Sequence, residues 1–279
     1  MSERIDYNSR IHNLIAPVYE ARHAEIFNES EQARIRAQLG FALESIGAAP
    51  AHARVLDFGA GTGNLTRHLL ELGARVVASD VSSGCLKEVK AMAGSSAHLE
   101  LSLLNGQDLS QFADGSFDMV AVYSVLHHVP DYLGIIGEFV RVLKPGGVIY
   151  LDHEACPNYW GASPDYQAYE VELGDRLLGE RQWLGRYLLG ILRRRNRWRY
   201  LAAALYLRWQ KFDDDEGDIH THPDDHIEWD KIRMLLEPRC EVLRELDYLV
   251  CRERSVPAVV WEKWHPRCAD MRLLIARKR

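Results

Sequence analysis

Several things are scarce in this 279-residue chain. It has no C-x-x-C pair, and its five cysteines (Cys85, Cys156, Cys240, Cys251 and Cys268) are odd in number and scattered. That pattern argues against both a disulfide framework and a cysteine zinc site, and suits a reducing compartment. No uninterrupted apolar run approaches the roughly 18 residues of a membrane-spanning helix, and the opening residues MSERIDYNSRIHN lack the apolar centre of a secretion signal. A cytoplasmic location is therefore expected. Positive charge is not in excess: the formal net charge is −6, the wrong sign for a surface that tracks phosphates, so no nucleic-acid partner is expected. Internal repeats and low-complexity tracts are also missing.

What is present is enough apolar sequence for a full core: 47% of residues are hydrophobic and 27% charged, ordinary for a globular protein. From Ala53 to Asp152 short apolar runs alternate with helical patterns, the mark of βαβ units in a parallel sheet. Strands are predicted at Arg54–Phe58, Arg75–Ser79, His98–Leu103, Phe117–Tyr123 and Val148–Asp152. Helices are predicted at Asn64–Leu72, Ser83–Ala93 and Tyr132–Val142, the last ended by the turn Lys144-Pro145-Gly146-Gly147. After a long polar and aromatic stretch come a helix at Glu228–Glu237 and strands at Cys240–Arg252 and Met271–Ala276, close enough to pair antiparallel. Two helices are expected before the first strand, with Ser30-Glu31-Gln32-Ala33 capping the second. Four segments follow: an N-terminal helical lid (1–47), a cofactor-binding core (48–154), a helical insertion over the substrate side (155–227) and a completion of the sheet (228–279).

The string Val55-Leu56-Asp57-Phe58-Gly59-Ala60-Gly61-Thr62-Gly63-Asn64 puts glycines where a buried strand turns into a helix, letting backbone come close to a ligand. A dinucleotide fingerprint needs its third glycine at position 64, which is Asn64; the spacing here is G-x-G-x-G, which counts against a nicotinamide-dependent oxidoreductase. Asp57 adds a carboxylate suited to an ammonium group. Asp80 ends the second strand, where a carboxylate can accept both ribose hydroxyls.

Together, VLDFGAGTGNLT, VVASDVS, GSFDMVAVYSVLHHVPD and LKPGGVIYLD resemble the class I methyltransferases that use S-adenosylmethionine. The resemblance implies an α/β fold: a Rossmann-like, doubly wound, seven-stranded and mostly parallel sheet with one antiparallel strand. It implies Gly59, Ala60 and Gly61 at the methionine portion of the cofactor, with Asn64 at the start of the adjoining helix, and Asp80 with Val81 at the ribose. Asp108 would meet the adenine amino group and Leu109 the ring, although the spacing there is one residue out of step with the commonest pattern. Tyr123 and Ser124 would flank the methionine and its reactive methyl, while Tyr19 and His23 look like part of a lid.

A sulfonium carries an activated methyl, so the protein must align a nucleophile, exclude water and, where needed, remove a proton. Histidine is the natural base near neutral pH. His127 and His128 after the fourth strand, and His153 with Glu154 after the fifth, fall at the carboxyl edge of the sheet, where ligands bind in such folds. The expected activity is methyl transfer to a small organic acceptor. Alternatives are a non-catalytic cofactor-binding protein of the same fold and a nucleic-acid methyltransferase. The latter is disfavoured because Tyr123-Ser124-Val125-Leu126 stands where DNA amino-methylating enzymes carry Asn/Asp-Pro-Pro-Tyr/Phe.

Two further stretches stand out. From Arg181 to Lys211 the chain is rich in arginine, free of acids and helically patterned, as in a substrate lid or in a helix that meets anionic, lipid-linked substrates or a membrane surface. Just beyond, Asp218, His220, His222, Asp225 and His226 are ligand-type residues whose spacing matches no well-defined metal site, and no metal is expected.

Overall fold

The computed structural model of the chain describes residues 3–16, 19–23, 25–47, 49–161, 163–191, 218–253 and 257–279. Strands Arg54–Phe58 (β1), Arg75–Asp80 (β2), Leu99–Leu103 (β3), Phe117–Tyr123 (β4) and Leu143–Ala155 (β5) run parallel to one another. After a small ladder of Thr221–His222 (β6) with Asp225–His226 (β7), the strands Cys240–Tyr248 (β8) and Met271–Lys278 (β9) complete a seven-stranded sheet in the order β3-β2-β1-β4-β5-β9-β8. β9 pairs antiparallel with both β5 and β8, so it is the one reversed strand.

The helices are α1 (Glu3–Ile15), α2 (Tyr19–Arg22), α3 (Glu29–Glu44), α4 (Asn64–Glu71), α5 (Ser83–Ala93), α6 (Tyr132–Val142), α7 (Pro157–Trp160), α8 (Pro164–Ile191), α9 (Trp229–Leu236) and α10 (Val259–Trp264). Strand residues alternate between the two faces of the sheet, and both faces are covered, which is why β1, β4 and β5 read as nearly continuous apolar runs. Leu56, Val120, Val122, Ile149 and Leu151 pack with Ile136 and Phe139 of α6 and Ile232 of α9. On the opposite face Val55, Met119, Ala121 and Tyr150 pack with Ile35, Leu39 and Leu43 of α3, Leu65 and Leu69 of α4, and Val89 of α5. Thus α3, expected to belong to a lid, is a layer of the core.

Three local expectations need correction. The N-cap of α3 is Asn28, whose side chain accepts from Glu31 N; Ser30 already lies inside the helix. Lys144–Gly147 does not separate helix from strand, because Leu143 already pairs with Phe117 and the register shifts across the turn. β8 stops at Tyr248, because Val250 N then donates to the Asp270 carboxylate and Asp270 N to Tyr248 O, drawing the chain out of the ladder. Of the arginine-rich stretch 181–211, the helical backbone is described as far as Ile191; the remainder lies outside the described residues. Among the described residues no helix is long and apolar enough to cross a membrane.

Candidate active site

The strand order reverses direction between β1 and β4, and a cleft opens at the carboxyl ends of this pair, the place where an open α/β sheet accepts ligands. Its atom-free space is about 1150 Å³, including the solvent-facing mouth. The floor is the turn after β1. Gly59 has φ +69° there, and a Cβ at that position would lie 2.5 Å from a methyl of Val125, so glycine is required by conformation and by space. Gly61, at φ +53°, would point a Cβ at no neighbour, leaving open room above the turn.

Asp57 and Asp80 both line the cleft although each is nearly fully buried. Asp80 accepts from Gly61 N at 2.9 Å and Ser82 N at 2.7 Å, one bond to each oxygen, which leaves each oxygen a further lone pair. Burial raises its pKa above the usual carboxylate range. Asp57 accepts from the Thr66 hydroxyl, and burial pushes its carboxyl up to about 7. Thr62 Oγ1 and Asn64 Nδ2 are buried at the same turn without a hydrogen-bond partner among the described residues, and both residues line the cleft.

Helix α1 roofs this space with Ile5, Asn8 and His12, joined by Tyr19 and Phe27. It is clasped to the β2–α5 turn: the Asn13 side-chain oxygen accepts from Gly84 N at 2.6 Å and from the Ser82 hydroxyl at 3.0 Å, and Ser9 donates to Val81 O. His12 Nδ1 meets Asn8 O at 2.8 Å; a carbonyl only accepts, so that nitrogen is the donor. None of Ile5, Asn8 and His12 was expected. The signal was legible as one face of a helix, since positions 5, 8 and 12 follow its period.

Of the residues expected at the cofactor, Tyr19, Asp57, Gly59, Ala60, Gly61, Asn64, Asp80, Val81, Asp108, Tyr123 and Ser124 line the cleft. Two do not. Leu109 is fully buried in the core beneath, and His23 pairs with Glu25 outside the lining. Asp108 is held by Asn105 and Ser110, whose hydrogen bonds lower its carboxyl to about 2. Ser124 carries φ +56°, an unusual strain for a non-glycine residue, directly after β4.

The four expected acid–base residues separate into different roles. His128 lines the cleft, while His127, His153 and Glu154 do not. His153, at φ +66°, is buried between Tyr123, on whose ring it stacks, and Tyr248. Burial and nearby arginines push its pKa well down. Glu154 is a scaffold group: Oε1 accepts from Val125 N (2.9 Å) and Leu126 N (2.7 Å), and Oε2 meets His127 Nδ1 at 2.9 Å. Burial works against a charge on His127, but Glu154 outweighs it and the pKa is raised. His128 Nδ1 lies 3.0 Å from the Asp218 carboxylate, and burial lowers its pKa, with His127 adding to the effect. His128 is therefore neutral near pH 7, with Nε2 as its basic nitrogen.

Beneath this wall, Arg34 of α3 donates to Asp152 (3.1 Å), Glu31 (2.9 Å) and Tyr248 (2.8 Å), while Tyr150, Tyr248 and His153 N also donate to Asp152. The edge of β5 is thereby fixed against α3.

Comparison with known proteins agrees with this architecture. Residues 56–151 match the family model described as a methyltransferase domain. A ubiquinone biosynthesis O-methyltransferase of Xanthomonas oryzae pv. oryzae is 41% identical over 103 residues, covering 36% of this chain and 43% of that protein. Its counterpart from Xanthomonas campestris pv. campestris is 39% identical over 100 residues, covering 36% and 42%. The chain thus spans less than half the length of these curated relatives. Among solved structures, an S-adenosylmethionine-dependent methyltransferase from Mesorhizobium loti has a TM-score of 0.53 at 18% identity, covering 85% of this chain and 96% of its own. A Pyrococcus horikoshii protein has a TM-score of 0.52 at 15% identity, covering 91% and 93%. At these identities the two structures speak for the fold.

Proposed function

We propose that this chain, whose residues 56–151 form a methyltransferase domain of the class I, S-adenosylmethionine-dependent type, transfers a methyl group from S-adenosylmethionine to a hydroxyl of a small organic acceptor. One observation carries this reading: the cleft at the β1/β4 reversal is walled by a glycine turn, two buried carboxylates and two buried polar atoms that lack partners among the described residues. The residues fit the cofactor. Asp80 retains lone pairs for the ribose hydroxyls, Asp57 suits the amino-acid ammonium, and Thr62 and Asn64 offer unspent hydrogen-bonding capacity beside it.

When bound, the cofactor supplies a methyl group already activated on a sulfonium. The protein's own residues orient, exclude water and move a proton. Gly59 to Gly61 keep backbone close to the ligand, and α1 with Ile5, Tyr19 and Phe27 shields the cleft from solvent. His128, backed by Asp218, takes the acceptor's proton on Nε2, while Glu154 and His127 hold the loop that presents it. The choice of oxygen rests on the relatives, whose printed name is O-methyltransferase. Ile219 N and His220 N donate to His127 O and so hold Asp218 beside His128, on the side where the acceptor would enter.

Titration calorimetry with S-adenosylhomocysteine tests the core of the proposal. Saturable binding is expected for the parent chain, weaker by at least about tenfold in Asp80→Asn, the loss of roughly one charge-assisted hydrogen bond. No heat in the parent, or equal affinity in the variant, would refute it.

A further inference from the structure

At the edge of the cleft the last residues of the insertion fold back onto the loop after β4. Ile219 N and His220 N both donate to His127 O, at 2.9 and 3.2 Å, and His220 Nε2 meets Val129 O at 3.2 Å. These bonds set the Asp218 carboxylate against two adjacent imidazoles. Its Oδ1 lies 3.0 Å from His128 Nδ1 and 3.9 Å from His127 Nε2, and one ligand atom from each of the three residues lies within 4.8 Å of the others. The two rings are 4.0 Å apart between centroids.

We propose that His127, His128 and Asp218 form a binding site for a divalent d-block cation of the zinc type, and that its occupancy switches off His128 as a base. Three physical points support the site. First, the donor set of two imidazoles and one carboxylate suits zinc and its neighbours, and leaves a fourth position open. A tetrahedral ion bonded at about 2.1 Å spaces its donors roughly 3.4 Å apart, close to the separations present. Second, His127 Nδ1 is engaged by Glu154, so Nε2 is the nitrogen left to meet a cation beside Asp218; a carboxylate behind a histidine is the usual outer support of a metal-bound imidazole. Third, all three groups are partly buried, with side-chain exposures of 15%, 23% and 29%, so ordering them costs little further entropy.

The switch follows from the two nitrogens of one ring. An ion on Nδ1 of neutral His128 leaves its proton on Nε2, which then donates and can accept nothing. Only this consequence depends on the methyl-transfer reading; the site itself does not.

The test uses the full chain stripped with a chelator and titrated with Co²⁺, followed by visible absorption, and with Zn²⁺, followed by calorimetry. One ion per chain is expected, with a tetrahedral Co²⁺ spectrum. Asp218→Asn and His127→Gln should each weaken binding by at least about tenfold, and Glu154→Gln by about 10–100-fold as an outer support. His222→Asn, which alters an exposed metal-type residue of the same segment, should bind as the parent does. S-adenosylhomocysteine affinity of each variant reports that it has folded. Failure of the parent to bind Co²⁺ saturably, or equal affinity in Asp218→Asn, would overturn the site. Bound Zn²⁺ that left turnover unchanged would overturn the switch. Loss of S-adenosylhomocysteine binding in the parent would count against the cofactor proposal alone.

Discussion

Asp57 is 1% exposed at the end of β1, and burial raises its carboxyl from an ordinary 3.8 to about 7, with only the Thr66 hydroxyl and backbone opposing the shift. Between about pH 4 and 7 the folded chain keeps a proton there that the unfolded chain has released. The group's contribution to stability is therefore complete at low pH, falls as pH rises and levels off above about 7. The advantage of Asp57→Asn over the parent in melting temperature should be clearly larger at about pH 8 than at about pH 5; parallel curves across that range would contradict a buried neutral carboxyl. A ligand ammonium placed beside Asp57 reverses the preference and expels the proton. The calorimetric heat of cofactor binding at about pH 6.5 should then change with the ionisation heat of the buffer. At the histidine wall, His128→Ala should cost about 10²–10⁴-fold in turnover with cofactor affinity nearly unchanged. His153→Asn, whose side chain tolerates the positive φ, should keep turnover near the parent's; a collapse there would return the base to β5. This division was not legible in the sequence, because His127, His128, His153 and Glu154 all fall at the same sheet edge. Which of them faces the cleft depends on a positive φ at His153 and on Glu154 turning to the backbone of Val125 and Leu126.

Elements were far more legible than roles. Strands β1 and β4 and helices α5 and α6 match their expected bounds, since each is a strongly patterned apolar segment between turn residues. What the pattern could not reveal is the polar clamp that docks α3. Its periodicity says that one face is apolar, whereas Arg34 stands on that helix with its guanidinium reaching Asp152 of β5, Glu31 of its own helix and Tyr248 of β8. Despite burial, the surrounding acids and hydroxyls hold the guanidinium charged, its pKa raised further, with Asp152 the chief partner. Removing one member leaves the others buried without compensation. Arg34→Met should therefore lower unfolding stability by about 3–5 kcal/mol in chemical denaturation. A loss below about 1 kcal/mol would mean that the cluster behaves as a solvated surface pair. The glycine turn makes a second prediction at this scale. Gly59→Ala must place a methyl 2.5 Å from Val125 while holding φ at +69°, so cofactor binding should be lost. Val125→Ala in the same chain should restore it in part, relieving the clash but not the backbone strain.

On the scale of the whole molecule, the sheet is packed between two apolar layers, whereas the roof of the cleft is helix α1, joined by Tyr19 and Phe27 and clasped by polar bonds to the turn after β2. α1 contributes Ile5, Asn8 and His12 to the cleft, and its clasp consists of Asn13 and Ser9 on the backbone and side chains around Val81, Ser82 and Gly84. Gly84 has no room for a side chain there, since a Cβ would fall 2.7 Å from Asn13 Oδ1, so helix and turn are fitted to each other. A cofactor the size of S-adenosylmethionine needs a way in past this roof, and the few polar bonds at Asn13 are much easier to open than the apolar layers on the sheet. Amide hydrogen exchange should accordingly show 3–15 opening faster than α3 or α6 in the free chain and slowing by at least about tenfold with S-adenosylhomocysteine bound. Asn13→Ala should speed the free-state exchange of that helix without touching β1 or β4, and should raise the cofactor dissociation rate. Exchange of 3–15 that is insensitive to ligand would make the helix a fixed wall and move the entrance to another side of the cleft.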